Sequence, residues 1–223
     1  MYFKNASFFY GNNSFYLKNL LLIQPKSIVR KIYPKAVWNF ERNLKVIYLT
    51  FDDGPIPGLT EWVLEELKKF NAKASFFCVG ANILRHPSIF EKIKADGHRV
   101  ANHTMNHIKG FKSTLADYMK EVDSCKQLIG NSLFRPPYGQ LKRSQYNALS
   151  EQQYKIVLWD VISYDYEEIA KTTCAVNVIR NTKNGSIVLF HDNWKAEENL
   201  KYALPLFLEH FTKLNYSFKP LEL

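Results

Sequence analysis

The 223-residue chain predicts an α/β fold in which parallel strands, covered by helices, close into a barrel. Three observations lead there. Short, nearly continuous apolar runs rich in β-branched and aromatic residues recur, among them KVIYLTF from Lys45, ASFFCV from Ala74 and SIVLFH from Ser186; such runs mark strands buried on both faces. Stretches with apolar residues at helical spacing separate them, so strand and helix alternate almost throughout. Seven strands can be counted, more in keeping with a barrel than with an open sheet.

Residues 1–19 are aromatic and Asn-rich without a period, and Gly11-Asn12-Asn13 reads as a turn. Ser27 to Tyr33 predicts a short helix capped by Ser27, with Ile28, Val29, Ile32 and Tyr33 on one side, ended by Pro34. Trp38 and Phe40 are expected to pack on the body of the domain. The first strand, Lys45 to Phe51, runs into Asp52-Asp53-Gly54-Pro55, a turn signal. A helix over about 60–70 follows, with Thr60 as N-cap and Val63, Leu64, Leu67 and Phe70 on its stripe. The second strand is Ala74 to Val79. A helix from Ser88 to Ala95 precedes the third, His98 to His103. The helix from Ser113 to Ile129 carries Leu115, Tyr118, Met119, Val122, Cys125 and Ile129 on one face. The fourth strand, Leu133 to Pro137, is followed by a helix from Ser144 to about Gln152 and by a fifth strand, Lys155 to Asp160. A helix over roughly 172–181, the sixth strand, a last helix with Pro205 as a kink and a seventh strand from Tyr216 complete the series.

At 46% hydrophobic and 15% aromatic residues the chain is not disordered and is long enough for one large core. The net charge is +9, and residues 1–44 carry seven Lys or Arg against Glu41 alone. No nucleic-acid motif accompanies this charge. A basic, aromatic segment suits a weak membrane-surface contact, with a solvated face as the bland reading. Cys78, Cys125 and Cys174 form no disulfide framework and read as buried thiols. No run reaches transmembrane length, and Leu20 to Ile23 makes a poor signal peptide. The expected location is cytoplasmic or peripheral to a membrane. Two divisions are expected: an N-terminal extension over 1–44, packing on the barrel or a membrane surface, and a catalytic domain over 45–223.

In a parallel α/β barrel the strand C-termini share one face, and that face carries the chemistry. Here it gathers Asp52-Asp53, His103 and His107, Arg135 with Pro136-Pro137-Tyr138, Asp165-Tyr166, and His191-Asp192. Neighbouring residues of an extended chain point opposite ways, so one of the paired aspartates is free to hold a cation while the other handles a proton. His103 and His107, four apart, would face the same way on one helical turn. With an Asp from another strand end they make a His₂Asp set, the open pattern of a catalytic metal site. Zinc fits such ligands, and cobalt or another divalent ion can replace it. Arg135 offers a fork of donors to a carboxylate, and the double proline stiffens the turn that presents Tyr138.

These stretches together resemble the polysaccharide deacetylases, the NodB homology domain of carbohydrate esterase family four. All five family motifs stand in family order: TFDDGP at Thr50, HTMNH at His103, RPPYG at Arg135, the Asp165 region and LFHD at Leu189. The resemblance leaves the first 44 residues uncovered. It implies a distorted (β/α)7 barrel with parallel strands and metal-dependent removal of an N-acyl group, usually acetyl, from an amino sugar in a chitin-like or peptidoglycan-like polymer or oligosaccharide. By position it implies Asp52 as catalytic base, Asp53, His103 and His107 as metal ligands, and Arg135 as the residue orienting the base. The Tyr138 backbone N–H resembles the oxyanion donor, and His191 the general acid tuned by Asp165. Leu189 lines the acyl pocket, with Tyr166 and Pro137 beside it. Tyr166 departs from the family, which commonly has Trp there. Two alternatives stand beside this reading: a related amidase acting on a lipid-linked sugar or non-sugar amide, and a catalytically silent carbohydrate-binding protein.

Overall fold

The computed structural model describes residues 23–25 and 27–223. The expected turn at Gly11-Asn12-Asn13, and most of the segment expected at a membrane surface, lie outside these residues. Among those described, no helix is long and apolar enough to cross a membrane.

The first helix, α1, spans Ser27–Ile32. β1 (Val46–Asp52), β2 (Ala74–Cys78), β3 (Arg99–Asn102), β4 (Leu133–Phe134), β5 (Lys155–Ile156), β6 (Val161–Ile162), β7 (Ile187–His191) and β8 (Ser217–Phe218) form one sheet. Its order is β5-β4-β3-β2-β1-β7-β6, with β8 beside the start of β1, and every strand pair is parallel. The helices are α2 (Leu59–Lys69), α3 (Gly80–Arg85), α4 (Pro87–Ala95), α5 (Leu115–Ile129), α6 (Arg143–Glu151), α7 (Lys171–Asn181) and α8 (Glu197–Lys213). This is the distorted α/β barrel that the sequence predicts. Alternation along β2 shows its two sides. Phe76 joins Leu49, Phe51 and Phe190 in the layer under the helices, whereas Phe77 joins Ala101, Leu133, Val157, Ile187 and Leu221 inside the curl. Both faces are apolar, which is why these strands read as continuous hydrophobic runs.

Several local expectations shift. The expected fifth strand is two strands at opposite edges of the sheet. β5 pairs with β4, the chain crosses the gap over 157–160, and β6 pairs with β7. The gap is filled by residues 36–40, which precede β1. Val37 N–H donates to Ile156 O and Leu158 N–H to Val37 O, both at 2.8 Å, while Phe40 N–H donates to Gly185 O at 2.8 Å. Open edges expose unpaired backbone groups, and this strap satisfies them. Trp38 is buried as expected. Ile32 departs from its expected stripe and is 49% exposed, and Leu115 is 41% exposed, because α5 starts later than expected. Thr114 caps it by accepting from Asp117 N–H at 3.1 Å, an arrangement worth about 1 kcal/mol. Thr60 is not a cap. It lies inside α2, accepts from Ile56 N–H at 2.8 Å and donates to Asp192 at 2.6 Å. α3 was not expected at all, and α8 continues through Pro205. Cys78, Cys125 and Cys174 are buried free thiols.

Candidate active site

The parallel register sets the site. Asp52, the last residue of β1, lies opposite His191 of β7 and Phe77 of β2. Beyond β1 the backbone turns at once: Asp53 has φ 87°, a conformation costing a non-glycine residue on the order of 1 kcal/mol. Of eight non-glycine residues at positive φ among those described, five lie in strand-end loops of this face: Asp53, Thr104, His107, Tyr138 and Tyr164. Strain gathered this way points to function.

The turn after Asp53 is gripped from β7. Gly54 N–H donates to Asp192 Oδ1 at 3.1 Å. A side chain at Gly54 has no room, since its Cβ would sit 2.0 Å from Asp192 Oδ2. Burial pushes the Asp192 carboxyl up to about 8, against the Thr60 hydrogen bond and with the Asp53 charge adding to it. Gly54→Ala is therefore expected to lower stability by about 2–3 kcal/mol, the range of overpacked buried sites, and thermal melting checks it.

Arg135 is fully buried. Its NH1 donates to Asp52 Oδ1 at 2.7 Å and to Thr50 Oγ1 at 2.9 Å. Nε and NH2 donate to the carbonyls of Val157 and Leu158 at 3.2 and 3.1 Å. The guanidinium lies 4.0 Å from the Phe77 ring centre. Asp52 is thereby held in one orientation.

His103 and His107 do not share a helix turn. They sit in a loop in which Thr104 and His107 have φ of 65° and 54°. The loop's backbone is drawn to neighbours instead of to its own carbonyls: Gly80 N–H and Ala81 N–H of α3 donate to Thr104 O and Met105 O, and Met105 N–H donates to Glu121 O of α5. The rings still converge, 5.1 Å apart between centres. Asp53 Oδ1 is 3.1 Å from His107 Nε2 and 3.5 Å from His103 Nε2, and one ligand atom from each residue lies within 4.8 Å of the others. His103 Nδ1–H donates to Arg135 O at 2.8 Å, leaving the Nε2 lone pair for a ligand role. Burial lowers the His103 pKa to about 4, so the ring is neutral, as ligation requires. Burial alone would raise the Asp53 pKa, but the His107 contact and then the charge of nearby His191 hold it well below the usual carboxylate range. Asp53 Oδ1 is buried and has no aligned hydrogen-bond donor, a group that a cation would satisfy. The donor set fits a divalent metal.

On the other side of Asp52, His191 Nδ1 and N–H bind the two oxygens of buried Asp165, each at 2.8 Å. Burial lowers the His191 pKa, but the Asp165 charge and hydrogen bond overcome this and raise it to about 9. Tyr138 lies in a short 3-10 turn, Pro137–Gly139. The turn's hydrogen bonds use the N–H groups of Gly139 and Gln140 and not that of Tyr138. Tyr138 is 51% exposed, and its ring lies 4.8 Å from the His107 ring. Leu189 lies in register with Thr50, hence on the inner face of the barrel. Pro137 is buried, and Tyr166 meets the His191 ring edge-on at 4.7 Å. A cleft of about 280 Å³ opens beside Asp53 and His107, lined also by Val79, Asn82, Arg85 and Asn106. Leu189, Tyr166 and Pro137 are not part of its wall.

The family model for polysaccharide deacetylases matches residues 41–157, just over half of the chain. This chain belongs to the polysaccharide deacetylase family. It is a hydrolase of a non-peptide carbon–nitrogen bond. A peptidoglycan-N-acetylglucosamine deacetylase of Bacillus cereus is 31% identical over 190 residues, covering 82% of this chain and 89% of that one. A chitooligosaccharide deacetylase of Azorhizobium caulinodans is 31% identical over 70% of this chain and 78% of its own. A solved peptidoglycan N-acetylglucosamine deacetylase in complex with an N-hydroxybenzamide ligand superposes with a TM-score of 0.81 at 29% identity, covering 88% of this chain and 94% of that one.

The site of this polysaccharide deacetylase holds residues that sequence reasoning missed. Asn193 Nδ2 donates to Asp53 Oδ2 at 2.6 Å, and Asn82 Nδ2 donates to Asp53 O at 2.8 Å. Asn199 Nδ2 donates to Asp165 O at 2.9 Å. Asn193 directly follows the LFHD motif, a signal that was available. Nothing local marks Asn82 or Asn199.

Proposed function

We propose that this chain removes the N-acetyl group from an amino sugar of a peptidoglycan-like or chitin-like polymer or oligosaccharide, with a divalent metal, zinc first, held by Asp53, His103 and His107. One observation carries the reading: Asp52, fixed by Arg135, and His191, fixed by Asp165, lie at register-paired strand ends beside that triad. The names of the relatives motivate the substrate class.

A cation there would supply Lewis-acid stabilisation of negative charge developing on the acyl oxygen. The chain supplies the proton chemistry. Asp52 takes a proton from the attacking water as its oxygen bonds the acyl carbon. The Tyr138 N–H donates to the oxyanion, a contact often worth about 3 kcal/mol. His191, protonated through Asp165, gives its proton to the amide nitrogen as the carbon–nitrogen bond breaks, releasing acetate and the free amine. Because the Tyr138 donor is backbone, Tyr138→Gly is expected to keep kcat within a few-fold and to raise KM, its ring serving only as a sugar platform; steady-state kinetics separate the two.

The catalytic unit on this reading includes the described part of the N-terminal segment, since residues 36–40 pair with the barrel. Arg30 and Arg42, part of the charge that suggested a membrane, point instead to Asp160 at 2.7 and 2.9 Å.

The test is acetate release from N-acetylated chito-oligosaccharides and from peptidoglycan, with zinc, with cobalt and after chelation. Release that chelation abolishes and zinc restores supports the reading. Sugar binding without release from any substrate in any metal state favours the silent binding protein.

A further inference from the structure

The reaction read above requires Asp52 to be held still, and Arg135 holds it. Two of Arg135's anchors are the carbonyls of Val157 and Leu158. Both lie on the stretch that crosses the gap between β5 and β6, where Val157 N–H makes the last bond to β4, to Phe134 O at 2.8 Å.

That stretch is fixed jointly by β7 and by the strap before β1. Leu158 N–H donates to Val37 O at 2.8 Å, and Asp160 N–H to Ile187 O at 2.9 Å. The Asp160 side chain, 4% exposed, takes two cations. Arg30 reaches Oδ1 at 2.7 Å, and Arg42 reaches Oδ2 at 2.9 Å, where Ser186 Oγ also donates at 2.6 Å. Arg30 also donates to Asn39 at 2.8 Å, so the clamp and the strap are one unit. The strap's seat is shaped for it. Gly185 has φ +70°, and a Cβ there would lie 2.3 Å from Glu41 O and 2.6 Å from Phe40 O. Arg30 and the whole strap precede residue 41, where the family match begins.

We propose that Arg30 and Arg42, acting through Asp160, are positioning residues for the hydrolysis: they fix the crossing stretch whose carbonyls aim Arg135 at Asp52. The inference rests on Asp52 being the base. A displacement of about 1 Å far from the reacting atoms is enough to lower turnover roughly 100-fold, and loosening this clamp reaches the base through Arg135. The Asp160 carboxylate is held by Arg30, Arg42 and Ser186, none of which belongs to the Asp53, His103 and His107 triad.

The experiment compares Asp160→Asn, Arg42→Ala and Gly185→Ala with Asp52→Asn and with Leu204→Ala, a buried position on α8 remote from the clamp. N-acetylated chitopentaose is the probe and zinc-loaded protein the catalyst, at a temperature where every variant is folded. Arg42→Ala truncates a side chain that is 40% exposed, so it serves as the test if Asp160→Asn does not fold. The clamp variants are expected to lose about 10- to 100-fold in kcat with KM and zinc affinity within twofold. In metal-free protein the Leu158 amide is expected to exchange hydrogen faster. Leu204→Ala is expected to lose as much thermal stability with kcat unchanged, which a merely structural role of the clamp would equally give. Clamp variants that keep wild-type kcat while Asp52→Asn is inactive overturn this inference alone. An active Asp52→Asn overturns the assignment of the base, and this inference with it.

Discussion

Asp52→Asn is expected to lower kcat by roughly 10²–10⁴-fold, the share of a general base, with zinc affinity within twofold of wild type. Asn has the same shape and keeps an acceptor for Arg135 but cannot take a proton from water. Asp53→Asn is expected to do the reverse at the first step: zinc affinity collapses, and activity follows it. The contrast rests on geometry. Asp53 Oδ1 faces both Nε2 atoms, whereas Asp52 Oδ1 accepts from Arg135 and its Oδ2 stays 3.8 Å from His103. A stability cost accompanies Asp52→Asn, because Arg135 is buried and Asp52 is its carboxylate partner. Removing one member of a buried ion pair costs about 3–5 kcal/mol. Zinc titration of both variants, with melting curves, checks the pair. Loss of zinc in Asp52→Asn and retention in Asp53→Asn would reverse the assignment.

His191→Ala is expected to spare zinc and to lower amide hydrolysis by roughly 10²–10⁴-fold, while activated aryl acetates lose little. A phenolate departs without a proton; an amine does not. The same residue is expected to set the alkaline limb of the pH profile. The acid works when protonated, and Asp165 raises its pKa to about 9 against burial, with smaller help from Asp53 and Asp52. Activity is therefore expected to fall as pH rises toward 9. A cation that neutralises Asp53 removes part of that help and draws the limb below this value. Asp165→Asn removes the largest favourable contribution, so its limb is expected at lower pH by at least one unit, with the acid limb unmoved. Profiles of kcat for both proteins decide this, and coincident alkaline limbs would show that another group titrates there.

How much of this was legible in the chain depended on distance along it. The residues proposed for the chemistry stand at the ends of apolar runs, and a parallel barrel brings all strand ends to one face whatever the loop lengths. Asp52, Asp53, His103, His107, Arg135, Asp165 and His191 were therefore found together without coordinates. Spacing says that the rings of His103 and His107 can meet, as they would on one helical turn, but the loop's hydrogen bonds to α3 and α5 decide how they do.

The sequence by itself determined the alternation of strand and helix and the strand-end motifs, because each depends on side-chain periodicity or on a few consecutive residues. Tertiary structure alone decided where KIVLWD breaks, since its two halves serve opposite edges of one sheet and no local propensity marks the gap. It alone decided that Arg30 and Arg42 meet Asp160, 130 and 118 residues away, and that Gly54 and Gly185 must lack side chains. Those outcomes come from backbone groups and charges that burial leaves in need of partners, and the partners exist only once the barrel has closed.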